Sequence, residues 1–94
     1  MEYYINYNTG AGNEYFNGTL AEAKAAADKG AAYTQVDIII SKKDPLFEIS
    51  GEWLPVARRR WYSGEFDPEL YEDGEDADVI RFGNFGYFDE WYDY

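Results

Sequence analysis

One short segment of this chain has the sequence signature of an α-helix, and the segments on both sides of it favour strands. Thr19 and Glu22 have the spacing of a capping box, in which each side chain accepts a hydrogen bond from the backbone N–H of the other residue. Lys29 lies in the predicted last turn, and Gly30 occupies a position at which helices commonly end. Most residues between these ends are alanines, so the helix can approach a sheet closely. We therefore predict a helix at about residues 20–29 that packs on strands.

The rest of the chain has the alternation and the turn residues of short strands. Tyr3, Ile5 and Tyr7 alternate with Tyr4 and Asn6, which is the period of two expected of a half-buried strand. This first strand is predicted at residues 2–8, and others at residues 31–40, 46–50, 53–63 and about 79–82, with turns at residues 8–13 and 41–45. Residues 14–16 fit a short strand or a packed loop, and residues 86–91 fit a short strand or a turn of helix.

The segment 53–63 combines rings with three consecutive arginines. Regular alternation would place Trp53, Ala57, Arg59 and Trp61 on one face of a strand and Leu54, Val56, Arg58, Arg60 and Tyr62 on the other. Neither face is purely apolar. We therefore expect the arginines to pair across strands or with the acidic residues at 65–78, which would draw that segment back onto the sheet.

These elements together predict an α+β fold. One α-helix packs on a small, mainly antiparallel, curved β-sheet of four to five strands. The alternative is a mostly-β, barrel-like fold that the helix plugs. Residues 1–94 are expected to form a single domain, with an αβ core at residues 1–64, an acidic loop at residues 65–78 and an aromatic C-terminal segment at residues 79–94 that packs back on the core.

The composition limits the core and the chemistry. Ten Tyr, six Phe and three Trp predict an interior filled by rings more than by aliphatic side chains. The chain has no Cys and no His, which removes disulfides, thiolates and the usual general base and zinc ligand. No nucleophile–base pair is recognisable, so we expect no enzymatic activity and no cofactor; the remaining catalytic possibility is a small carboxylate hydrolase. The stretch "DGEDAD" (73–78) lacks the full ligand spacing of a calcium loop, so no metal site is expected.

The negative charge is concentrated in the last third of the chain. Residues 1–64 contain eight acidic and seven basic residues, whereas residues 65–94 contain eleven acidic residues and only Arg81. The net charge of −11 repels nucleic acid and anionic membranes and opposes self-association. We therefore expect a monomer or weak homodimer with no direct nucleic-acid or membrane contact. With no signal peptide or membrane span in the sequence, the expected location is cytoplasmic.

The acidic residues of this last third are interleaved with rings such as Phe66, Tyr71 and Tyr92. If residues 65–78 were extended at about 3.3 Å per residue, their eight carboxylates would span roughly 46 Å and approach the charge density of a nucleic-acid strand. Rings among charges favour a protein interface over simple solvation of a loop. The predicted partner-binding residues are Glu65, Asp67, Glu69, Glu72, Asp73, Glu75, Asp76, Asp78, Asp89, Glu90, Trp91 and Asp93.

In size, composition and the acidic, aromatic stretches "EFDPELYEDGEDAD" and "FDEWYDY", the chain resembles the small DNA-mimicking anti-restriction and anti-CRISPR proteins of phages and other mobile elements. These inhibitors share no common fold, so the resemblance transfers a mechanism and no residue roles. It implies a non-enzymatic inhibitor whose carboxylates occupy the nucleic-acid-binding surface of a nuclease or CRISPR effector, in the host cytoplasm if the gene is carried by a phage. The alternative is a small structural or accessory module that uses its aromatic surface for homodimer or assembly contacts.

Overall fold

A computed structural model describes residues 1–9, 12–31 and 34–94. Its strands and helices are β1 (Glu2–Asn6), β2 (Glu14–Asn17), α1 (Leu20–Gly30), β3 (Ile38–Lys43), α2 (Phe47–Ser50), β4 (Trp53–Arg59), β5 (Trp61–Ser63), β6 (Ile80–Arg81), β7 (Gly86–Phe88) and β8 (Tyr92–Asp93). Positions 10–11 of the predicted turn and 32–33 of the predicted strand lie outside the described residues. The predicted α+β class is confirmed.

The main sheet has five antiparallel strands in the order β2-β1-β3-β4-β8, with α1 packed on one face. Both halves of the predicted capping box are present, since the Glu22 amide donates to Thr19 Oγ1 and the Thr19 amide donates to Glu22 Oε1. The cluster between helix and sheet consists of Tyr3, Ile5, Tyr7, Ala23, Ala27, Ala31, Ile38, Ile40, Ala57 and Phe88.

Rings and aliphatic side chains share the interior. Alanines of α1 face the isoleucines of β1 and β3, and Tyr3, Tyr7 and Phe88 are buried in the same cluster. Most rings lie at half-buried positions or in the second sheet. Tyr can bury one end of its ring and leave its hydroxyl in water, so it suits those positions better than the centre of the core.

A second sheet, which the sequence did not predict as separate, has the order β5-β7-β6. Phe88 on β7 is fully buried and packs edge-on against Trp61 and Phe82, with ring centroids 5.0 and 6.0 Å away. Gly86 allows β7 to approach β5, since a Cβ there would lie 2.4 Å from the carbonyl oxygen of Tyr62. The second sheet therefore joins the main core through Phe88.

Two predictions about residues 41–50 are wrong. The predicted turn at 41–45 is partly strand, because β3 continues to Lys43 and pairs there with Trp53. The predicted strand at 46–50 is instead the single helical turn α2, closed by the αL residue Gly51. Asp44 drives this local choice: its carboxylate accepts from the Leu46 amide and the Ser50 hydroxyl, the kind of side-chain bond that favours a turn over a strand.

The predicted single strand at 53–63 is divided between the two sheets, and its alternation is interrupted. Ser41 pairs with Pro55 whereas Ile40 pairs with Ala57, so Val56 is one extra residue in β4. A bulge of this kind reverses which face the following residues occupy. Trp53 therefore packs against Tyr4 on the face opposite α1, and the expectation that it shares a face with Ala57 and Arg59 is wrong.

The helices in the described part of the chain are too short and too polar to cross a membrane.

Candidate protein-binding surface

The acidic segment, defined as residues 65–78, contains two 3-10 turns and no strand. The turns are Pro68–Leu70 and Gly74–Asp76, and they contact each other. Asp67 caps the first turn by accepting from the Glu69 amide at 2.9 Å. The segment is therefore folded on itself, which corrects the extended geometry assumed from the sequence: its carboxylates do not follow a line of roughly 46 Å.

Three rings hold this segment on the second sheet. Phe66 is buried and lies 5.2 Å from the Tyr71 ring and 5.4 Å from the Tyr87 ring of β7, measured between centroids. Ala77 is buried in the same small cluster. Leu70, an aliphatic side chain of the same segment, is 73% exposed and does not anchor it. Burial of the rings therefore orders a segment that its charge alone would keep extended.

Arg81 of β6 stabilises the segment from outside. Its guanidinium lies 4.1 Å from the centroid of the Phe66 ring, and Nη2 is 3.0 Å from both the carboxylate and the carbonyl oxygen of Glu75. A cation over a ring with a carboxylate at its edge combines two attractions. Glu75 is therefore engaged within the protein.

Arg59 of β4 joins the end of the segment to the core. Its side chain is 1% exposed. Nη1 donates to the carbonyl oxygens of Asp78 and Asp89 at 2.8 and 2.7 Å, Nε donates to Asp28 Oδ1 of α1 at 3.1 Å, and the guanidinium lies over the Trp91 ring. Pairing of the arginines with the acidic segment was expected, and Arg59 does this; Arg58 pairs with Asp37 instead.

Most carboxylates of the segment stay unpaired after these contacts. In the part of the chain that the structure describes, Glu75 and Asp78 form ion pairs and the other six acids form none. We name these six exposed residues the acidic face: Glu65, Asp67, Glu69, Glu72, Asp73 and Asp76. The protein's own cations therefore leave most of the local charge available.

The C-terminal members of the predicted site have structural partners. Asp89 accepts from the Tyr71 hydroxyl at 2.6 Å, and Glu90 accepts from the Asp78 amide at 3.4 Å, so both lie beside the acidic segment. Trp91 donates to Asp28 and Asp93 pairs with Lys24 of α1 at 2.7 Å. The structure thus brings Asp89 and Glu90 to the segment and engages Trp91 and Asp93 with the helix.

A cavity of about 300 Å³ lies where β4, β5 and β8 meet. We name it the tyrosine pocket; its lining residues are Arg58, Arg60, Tyr62, Asp89, Glu90, Tyr92 and Tyr94. The predicted partner-binding residues include Asp89 and Glu90 but no tyrosine and no arginine, although the sequence placed Tyr92 among the acidic residues; the pocket itself depends on β8 pairing with β4. The only sequence signal was the clustering of rings in "EWYDY" and "RRRWY".

The Tyr71–Asp89 hydrogen bond predicts a loss of stability at alkaline pH. Burial, and secondarily the bond to Asp89, raise the pKa of Tyr71 well above its ordinary value, so the folded state favours the protonated phenol. The contribution of the Tyr71 phenol to the free energy of unfolding is complete below about pH 10, which is the pKa of tyrosine in the unfolded chain. This contribution declines as the pH rises above that value. We expect Tyr71→Phe to lose about 1 kcal/mol at neutral pH and to show a shallower decline above pH 10.

Urea unfolding of both proteins between pH 8 and 11.5 measures this difference. Tyr7, whose pKa is also raised by burial, is present in both and cancels in the comparison. Parallel stability curves for the two proteins would contradict the assignment to Tyr71.

Among residues 1–9, 12–31 and 34–94, no group of three or more carboxylates is arranged to hold a metal ion. No protein-family model, curated protein or solved structure matches this chain. What the protein does must be inferred from the chemistry of its own residues.

Proposed function

We propose that this protein is a non-enzymatic inhibitor that binds the basic, nucleic-acid-binding surface of another protein, a nuclease or CRISPR effector, through its acidic face. The observation that carries the proposal is that a folded segment presents six exposed carboxylates that form no ion pair within the described part of the chain. A segment serving only for solubility has no need of a buried anchor, whereas Phe66 and two tyrosines fix this one.

The electrostatics of the whole chain support the same function. Residues 65–94 have a net charge of −10, and residues 1–64 have a net charge of −1. The field is therefore directional, and it would steer the acidic face toward a positively charged groove. Because the face is already folded, little conformational entropy is lost when it binds. A bound copy would then block nucleic acid from the same groove.

The test is capture of partners from a lysate on the immobilised protein. We expect a nucleic-acid-binding protein to be retained at low salt, to be released as the ionic strength rises and to be displaced by duplex DNA. The purified partner should then lose nucleic-acid binding or cleavage when this protein is added. Capture that is insensitive to salt and DNA would contradict the proposal.

A matched pair of variants locates the interface. Glu69→Gln with Glu72→Gln removes two charges from the acidic face, and we expect it to weaken binding about tenfold at low salt, while stability is unchanged or slightly higher. Glu48→Gln with Glu52→Gln removes the same two charges from exposed positions near α2 and should bind as the parent does. Equal losses of affinity in both variants would mean that binding depends only on the total charge of the protein.

The alternative of an assembly module is favoured by rings on the face of the main sheet opposite α1. Tyr4, Tyr15 and Trp53 lie 5.2 to 5.9 Å apart between centroids, and Phe47 lies 5.5 Å from Trp53. Tyr15 is 75% exposed. Sedimentation measurements separate the two functions. The affinity of a dimer formed through these rings would increase or stay constant as the salt concentration rises, and Tyr15→Ala would dissociate the dimer.

A further inference from the structure

The tyrosine pocket has the composition of a site for a cationic group. Tyr62, Tyr92 and Tyr94 supply rings that are 39%, 65% and 61% exposed, and the Tyr92 and Tyr94 rings meet edge-on at 5.6 Å. The acidic residues Asp89 and Glu90 also line this cavity, and each accepts one hydrogen bond from the acidic segment. Faces of rings attract cations, and carboxylates accept hydrogen bonds from them.

The local charge allows a cation in spite of two arginines. Arg58 is neutralised by Asp37, with Nη2 3.0 Å from Oδ2, and its Nε, although unpaired, is fully buried and therefore out of reach of a ligand. The charges then remaining at the pocket are Arg60, Asp89 and Glu90, for a net of −1, within a chain of net charge −11. Arg60 is exposed and forms no ion pair among the described residues, so it can move aside.

Among the described residues, two arginines of this protein already occupy an arrangement of the same kind. A guanidinium lies over a ring and meets a carboxylate at the edge. The examples are Arg59 with the Trp91 ring at 5.4 Å and Asp28 at 3.1 Å, and Arg81 with the Phe66 ring at 4.1 Å and Glu75 at 3.0 Å. The tyrosine pocket has tyrosines, two acidic residues and the arginines Arg58 and Arg60 around one cavity, and among the described residues neither arginine lies over a tyrosine ring.

We propose that the tyrosine pocket receives an arginine side chain of the basic partner, an inference that rests on the proposed function. The guanidinium lies on the tyrosine rings and donates to Glu90 and Asp89, while the acidic face contacts surrounding basic residues. A cavity of about 300 Å³ is at the small end of ligand sites, which suits one side chain. The pocket thus adds a packed anchor to an interface that charge alone would leave non-selective.

The experiment titrates the protein with acetyl-Gly-Arg-Gly-amide and follows the NMR signals of the pocket residues. The control peptide replaces arginine by citrulline, which has nearly the same shape and no charge. We expect saturable shifts at Tyr62 and Tyr92 with the arginine peptide and at least fivefold weaker binding of the citrulline peptide. Equal binding of the two peptides, or no shift at the pocket, would overturn the inference.

Variants distinguish a cation site from an anion site. Glu90→Gln and Tyr92→Ala should each lower the affinity for the arginine peptide about threefold. Arg60→Ala should raise this affinity about twofold, because it removes a charge of the same sign as the peptide's guanidinium. Glu90→Gln keeps an acceptor for the Asp78 amide, and Tyr92 is exposed, so both variants should fold. If Arg60→Ala weakens the peptide, or if the parent binds acetate or phosphate at the pocket instead, the cation assignment is wrong.

Failure of this inference is distinguishable from failure of the proposed function. If Glu69→Gln with Glu72→Gln loses the captured partner while Tyr92→Ala retains it fully, the arginine anchor is wrong and the proposed function stands. If the peptide binds at the pocket but capture is insensitive to salt, the arginine site stands and the proposed function is wrong.

Discussion

Arg59→Ala should destabilise the folded protein by about 3–5 kcal/mol, because it breaks a hydrogen-bond network built around a buried guanidinium. The guanidinium is buried and bonds to Asp28 on α1 and to the backbone carbonyls of Asp78 and Asp89. Alanine leaves the two backbone carbonyls without this donor and Asp28 with Trp91 as its remaining donor, and it removes the cation over the Trp91 ring. Because a domain of this size has only about 5–15 kcal/mol of stability, the variant should be partly unfolded at 37 °C.

Urea unfolding followed by far-UV circular dichroism measures this effect, and the chain supplies its own control. Arg60→Ala removes the same side chain one residue later, at an exposed position that has no ion pair with any described residue, and should change stability by less than about 0.5 kcal/mol. If Arg59→Ala were also within 1 kcal/mol of the parent, the network around Arg59 would not be stabilising.

Phe88→Ala should destabilise the protein by about 3–5 kcal/mol as well, through a different mechanism. Phe88 is fully buried and contacts both Trp61 and Phe82, so its removal leaves a cavity in addition to the lost burial of the ring. The cavity lies where the second sheet joins the main core. We therefore expect the second sheet and the acidic segment to lose protection against hydrogen exchange before α1 does.

Phe85→Ala is the matched control for this variant. Phe85 is 79% exposed and lies in the turn before β7, so the same substitution there should alter stability by less than about 0.5 kcal/mol. Uniform loss of hydrogen-exchange protection over the whole chain in Phe88→Ala would mean that the two sheets unfold as one unit.

Both variants bear on the proposed function because the acidic face depends on these contacts. Arg59 holds the end of the acidic segment at Asp78, and Phe88 holds the sheet on which Phe66 and Tyr71 pack. A variant that loosens the segment should lower partner affinity without removing any charge. Comparison with the variant that combines Glu69→Gln and Glu72→Gln then separates the contribution of charge to partner affinity from the contribution of a prefolded segment.

Local chemistry sufficed for the parts of the fold whose residues are neighbours in the chain. The Thr19–Glu22 capping box predicted α1, and the alternation of Tyr3, Ile5 and Tyr7 predicted β1. The concentration of acids at residues 65–78 is likewise a property of the sequence. These signals survive folding because capping bonds, alternation and charge density involve residues a few positions apart.

The remaining features required partners distant in the chain. The bulge at Val56 reverses the faces of β4, and pairing of β8 with β4 forms the tyrosine pocket; neither is visible until the register is known. Burial of Arg59 depends on Asp28, Asp78 and Asp89 arriving from three separate segments. Which carboxylates stay free is decided by these long-range pairings, since a charge is available to a partner only if no arginine of the same fold has reached it.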